Sequence, residues 1–182
     1  MANMFCYQCQ ETARGKGCEI QGVCGKKAET SARMDQLLYI TRGIAILNRQ
    51  LREKGEASRQ ASHFIIDALF TTITNADFSN EMLDGYLTRG LALKNVLEGT
   101  VKKRGMEPPF MPEVSFHIDK ADYGRLDVVE HGGTLAEEFF SVLHEKNEDI
   151  RGLKQLVIYN PRHTAGCFRS LIGVYTNIAL VL

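Results

Sequence analysis

Four of the chain's five cysteines, Cys6, Cys9, Cys18 and Cys24, fall within 19 residues of one another, in the stretch FCYQCQETARGKGCEIQGVCGKK. Four thiolates from one short loop make a complete tetrahedral sulfur set, which suits zinc or iron–sulfur chemistry. The spacing is C-x2-C-x8-C-x5-C. A lone C-x-x-C is shared by redox dithiols and zinc knuckles, so the full set carries the signal. Structural zinc sites usually arrange their thiols as two close pairs. Here only Cys6 and Cys9 are close, and Cys18 and Cys24 are spread singly. A cubane cluster takes one thiolate at each iron and suits a chain that wraps around it. The spacing therefore favours iron–sulfur, with zinc and free thiols left as alternatives. It matches neither common ferredoxin pattern. Gly15, Gly17, Gly22 and Gly25 are expected to let backbone N–H groups approach the sulfurs. Lys26 and Lys27 read either as charges that steer an acidic redox partner or as solvated lysines.

The compartment matters to this reading. The opening residues MANMFCYQCQETARGKG lack the apolar core of a signal peptide. The longest apolar stretch, LIGVYTNIALVL, is interrupted by Thr176 and Asn177, and it is short of the roughly 20 residues that span a bilayer. A cytoplasmic location is expected, where clustered thiols serve as metal ligands more often than as disulfides. Lys plus Arg and Asp plus Glu both number 22 in the 182 residues. That balance argues against a general nucleic-acid binder, which carries a basic excess.

The elements that must position the thiols follow from periodicity. From Glu29 to Glu53, Met34, Leu37, Leu38, Ile44, Leu47 and Leu51 recur at helical steps, with Thr30 or Ser31 as a candidate cap and Gly55 past the end. A second helix is expected over 57–73, with Ile65, Ile66, Leu69, Phe70 and Ile73 as its apolar face. Ser79 can cap a third, running to Lys103 and carried by Met82, Leu83, Tyr86, Leu87, Leu91, Val96 and Leu97, with Gly105 as its stop. The expected fold is mainly α: a cysteine-rich cluster loop (1–28) on an antiparallel three-helix bundle (29–105). An irregular crossing segment and short helix (106–147) follow, then the start of a second helical bundle with an atypical tail (148–182). The prolines of MEPPFMPEV demand extended or turned backbone. The following VSFHIDK region has room for a short strand. Thr134 to Glu137 forms a capping box that opens a helix to Lys146, which Asn147 breaks. A fifth helix is expected from EDIRGLKQLVIY.

Other chemistry-bearing residues have plainer readings. His163 and Cys167 form a lone pair without further ligands, and His131 precedes a helix start that is most simply a turn and cap. Glu137 belongs to the capping box and Glu138 to a solvated face, while His63 and His144 lie on expected helices. Lys102, Lys103 and Arg104 end a helix, where positive charge complements the dipole.

The stretch FCYQCQETARGKGCEIQGVCGKKAET resembles the N-terminal signature of the hybrid cluster proteins, also called hydroxylamine reductases. MDQLLYITRGIAILNRQLREKG and IIDALFTTITNADF look like the first helices of that family's N-terminal helical domain, and EDIRGLKQLVIY like the opening of its second bundle. The resemblance covers about residues 4–159. It implies a [4Fe-4S] cluster on Cys6, Cys9, Cys18 and Cys24, because members with this spacing hold a cubane and those with longer gaps hold a two-iron cluster. It implies electron delivery from a redox partner protein toward a second, mixed oxygen–sulfur iron cluster. That hybrid cluster reduces hydroxylamine to ammonia and water, and nitric oxide reduction has also been assigned to the family. The family's hybrid-cluster ligands lie in C-terminal domains, and the residues here end before them, so no catalytic residue is assigned and the isolated chain is expected to be inactive. After Tyr159, NPRHTAGCFRSLIGVYTNIALVL shows no family likeness to this reading, and a frame change in the coding sequence is one account of it. The readings from other classes are a stand-alone, non-enzymatic electron-transfer module and a zinc-stabilised helical domain. Visible and EPR spectra separate the last of these from the iron–sulfur readings, and a hydroxylamine reduction assay separates enzyme from module.

Overall fold

The computed structural model describes residues 4–6, 9, 13–15, 17–73, 79–125 and 146–153. Three long helices dominate: α1 (Ala28–Glu53), α2 (Arg59–Ile73) and α3 (Asn80–Lys103). Among the described residues there is no strand, only an isolated antiparallel bridge between Cys6 and Cys18. The mainly helical class expected from periodicity is what the chain adopts.

Helix α1 is the centre of the bundle. It packs against α3, against α2 and against the short helix α4 (Pro112–Ser115), while α2 and α3 touch far less. Buried residues lie all around it, among them Met34, Leu37, Ile40, Ile44, Leu47 and Leu51. A helix buried on most of its circumference is surrounded by neighbours rather than laid on a surface. Partner residues fix the directions. Thr30 Oγ1 donates to Asn80 Oδ1 at 2.8 Å and Arg33 pairs with Asp84 at 2.7 Å, so α1 and α3 start together. At the other end of α1, Asn48 accepts from the Ser58 amide at 2.6 Å and donates to Ser62 Oγ at 3.2 Å. Thus α2 returns antiparallel, and the order is up, down, up.

The helix ends mostly follow local chemistry. Ser79 Oγ accepts from the Met82 amide at 3.2 Å, and Ser58 Oγ accepts from the Ala61 amide at 3.2 Å. Gly55 and Gly105 follow α1 and α3 with φ of 76° and 69°. Thr30 and Ser31, however, do not cap α1. The helix begins at Ala28 after Lys27, and both hydroxyls reach outside it, that of Ser31 to the Phe5 carbonyl at 3.3 Å. Val96 and Phe70, expected on apolar faces, stand exposed. Neither faces the central helix, which draws the apolar stripes toward itself.

The segment after α3 lies along α1 and is held by buried polar side chains. Gly43 lets it come close: a Cβ there would sit 2.3 Å from the Glu113 carbonyl oxygen. Arg42 pairs with Glu113 at 2.7 Å. The Lys94 ammonium, buried on α3, donates to the carbonyls of Glu113, Val114 and Phe116. Burial lowers its pKa to about 8, with the Glu98 carboxylate opposing the shift. Gln36 donates to the Asp122 and Arg125 carbonyls, both at 3.2 Å, and accepts from the Gly124 amide at 3.0 Å. These contacts give the segment a short helix and a 3-10 turn at Lys120–Asp122; of the two expectations, short strand or irregular crossing, its described residues take the irregular course. The helix expected over 134–146 lies almost wholly outside the described residues. Asn147 does not merely break the chain: its Oδ1 accepts from the Asp149 and Ile150 amides and caps a helical stretch over 148–153. The rest of the expected fifth helix, and His131, His144, His163 and Cys167, lie outside the described residues.

Candidate metal centre

The cysteine loop is folded by backbone pairing rather than by a large core. Cys6 and Cys18 exchange both backbone hydrogen bonds, at 3.0 Å and 2.9 Å. In a hydrogen-bonded antiparallel pair the two opposed side chains project to the same face. The two cysteines are buried there with Met4, and Ala13 and Ala28 pack alongside. This small cluster is the loop's own core. The loop is tied to the bundle through the Ser31 hydroxyl, which bonds the Phe5 carbonyl, and through Lys27, whose carbonyl accepts the Thr30 and Ser31 amides of α1.

Both buried sulfurs receive donors. The Ala13 amide points at Cys18 Sγ across 3.4 Å, and the Lys26 ammonium points at Cys6 Sγ across 3.5 Å. Donation of this kind stabilises negative charge on sulfur and tunes thiolate-bound metals. Among the described residues, one amide that approaches a sulfur belongs to Ala13. Gly22 serves closeness of another kind. A Cβ there would meet Lys26 Cβ at 2.9 Å and Cys24 Sγ at 3.0 Å, so a side chain at 22 would push both apart.

The other two cysteines are placed differently. Cys9 is half-buried and Cys24 is exposed. Among the described residues, no three cysteine, histidine or carboxylate side chains stand close enough together to hold a metal ion. The structure thus pairs Cys6 with Cys18 on one buried face. The donor set still fits an iron–sulfur group in its chemistry: four thiols in one loop, two of them buried on one face with N–H donors at their sulfurs.

Sequence reasoning misplaced Lys26. Beside Lys27 it reads as a partner-steering charge or as a solvated lysine, but Lys26 is only 1% exposed and lies inside the loop. Lys27 is exposed, as either reading requires. No periodicity marks a single lysine between a loop and a helix, so the sequence held no signal for its burial. Gln36 and Lys94 were also missed. Lys94 carried a signal: it falls three residues after Leu91 and three before Leu97, on the apolar stripe of α3.

Known proteins complete the description. The chain is 41% identical over 157 residues to a hydroxylamine reductase of Bacteroides fragilis, covering 86% of this chain and 26% of that protein. It is 40% identical over 157 residues to a hydroxylamine reductase of Desulfitobacterium hafniense, covering 86% of this chain and 27% of the relative. A hydroxylamine reductase of Clostridium botulinum is 35% identical over 173 residues, covering 86% of this chain and 30% of the relative. The chain therefore spans less than a third of the length of these relatives. The sequence model of the Prismane/CO dehydrogenase family matches residues 4–177, which corrects the reading that family likeness stops at Tyr159. With that match across nearly the whole chain, the helical bundle and its four-cysteine loop belong to the Prismane/CO dehydrogenase family.

Proposed function

We propose that this chain is the N-terminal iron–sulfur portion of a hydroxylamine reductase, with Cys6, Cys9, Cys18 and Cys24 as the thiolate ligands of a [4Fe-4S] cluster. The observation that carries the reading is the Cys6–Cys18 bridge, which sets two thiols on one buried face with a donor at each sulfur. When bound, such a cluster takes up and passes on single electrons. The protein's part is to hold the sulfurs and shield them. Met4, Ala13 and Ala28 keep water from the buried pair. The Ala13 amide and the Lys26 ammonium stabilise thiolate charge. Exposed Cys24 leaves one side of the loop open to an electron donor.

Reduction of hydroxylamine to ammonia and water, with nitric oxide as a further substrate, belongs in this reading to the full-length enzyme, fed by a redox partner protein in the cytoplasm. Among the described residues no helix is long and apolar enough to cross a membrane. The test is anaerobic purification of the chain, followed by metal analysis and visible and EPR spectroscopy. A broad visible absorption bleached by dithionite, with about four irons per chain as a cubane requires, is expected. A colourless protein with one zinc per chain overturns the assignment. A hydroxylamine assay on the same sample is expected to show no turnover.

A further inference from the structure

Lys26 is the unusual residue of the loop. A lysine is almost never fully buried unless something compensates its charge. Here the side chain is 1% exposed, and its ammonium lies 3.5 Å from Cys6 Sγ. The backbone is built to turn it inward. The Lys26 carbonyl accepts from the Gly22 amide and the Gly22 carbonyl accepts from the Gly25 amide, both at 2.8 Å, closing a tight turn with Gly25 at φ 91°. Cys24, two residues before, faces out of the same turn while Lys26 faces in. Helix α1 starts two residues later and anchors the position, because the Lys27 carbonyl takes the first amide bonds of the helix.

We propose that Lys26 is a positioning residue that sets the reduction potential of the thiolate centre by holding a buried positive charge against the Cys6 sulfur. This rests on the four-thiolate iron–sulfur reading above. The physical reason is electrostatic. A centre with four thiolates is anionic, and each added electron makes it more so. A fixed positive charge nearby favours the reduced form, and the potential rises. Water cannot screen a charge this deeply buried as it screens a surface lysine. Lys27, exposed on the other side of the turn, lacks that leverage. The two adjacent lysines therefore have separate tasks: Lys26 acts on the centre and Lys27 on what approaches it.

The test compares the anaerobically reconstituted full chain with Lys26→Met, Lys26→Arg and Lys27→Met. Iron content, circular dichroism and an EPR-monitored redox titration are read for each. Lys26→Met is expected to hold wild-type iron and to titrate at a lower midpoint potential. Lys26→Arg, which keeps the charge, and Lys27→Met are expected to stay near the wild-type potential. A Lys26→Met protein with full iron and an unchanged midpoint overturns the inference. If Lys26→Met folds but loses iron, Lys26→Arg decides. Iron retained at the wild-type potential supports the charge role, whereas iron lost from both variants overturns it in favour of lysine-specific packing. A wild-type chain that takes up no iron overturns the iron–sulfur reading itself, a result distinct from an unshifted potential.

Discussion

The cysteine loop and the helical bundle solve the problem of burial in opposite ways. The bundle buries a large continuous set of aliphatic side chains around α1, from Met34 through Leu51, with Ile65, Leu69, Leu83, Leu87 and Leu97 supplied by its partners. Among its described residues the loop has Met4, Cys6 and Cys18, with two alanines alongside. Apolar burial contributes about 25 cal/mol per Å², so the bundle has a strong driving force of its own and the loop has little. The loop substitutes backbone pairing, tight turns and donors aimed at sulfur. The difference teaches that the bundle is a platform and the loop a fitting on it, whose final form, in the iron–sulfur reading proposed above, is completed by the cluster.

The sharpest way to break this contrast is Cys18→Ser. Loss of all cluster absorption and bound iron is expected, with helical circular dichroism essentially unchanged. Collapse of the helices would show that the platform depends on the fitting. The next effect is on the platform itself. Leu47→Ala removes a fully buried side chain from α1, and a cost of about 2–5 kcal/mol in denaturant unfolding is expected. A cost below about 1 kcal/mol, the range of a surface change, would mean that the core is not organised around this helix.

The smallest effect concerns Lys94, which clamps the crossing segment to the bundle. Its pKa is lowered from 10.5 to about 8, chiefly by burial. Between those values the unfolded chain binds a proton that the folded chain has released. Stability from this group therefore rises with pH across that window, and the burial cost is fully present below it. Unfolding curves of the wild type and Lys94→Met, taken on either side of the window, should diverge in favour of the wild type at the higher pH. Parallel behaviour would show that the ammonium pays no burial cost in the folded chain.

Much of the platform was legible in the sequence because its signals are local. Periodic leucines and isoleucines, Ser79 before α3, and Gly55 and Gly105 after their helices each act within a few residues of where they stand. The spacing of the four cysteines is a local signal of the same kind. What escaped was non-local. Ser31 looked like a cap, yet it bonds Phe5, 26 residues away. Gln36 carried no sequence signal, yet it organises a turn 86 to 89 residues on. Lys26 looked solvated because nothing beside it in sequence shows that Cys6, 20 residues earlier, folds back over it. Polar side chains serving distant backbone leave no periodic trace.

The outward-facing Cys24 has a consequence for handling and for damage. Thiol oxidation follows access and thiolate character, and of the four sulfurs this one meets dissolved oxygen or peroxide first. Ageing in air should therefore run inward from a single corner: Cys24 modified early, Cys6 and Cys18 late, shielded by Met4 and the turn beneath them. The corner of the loop through which the proposed function would admit electrons is by the same exposure the one expected to age first in air.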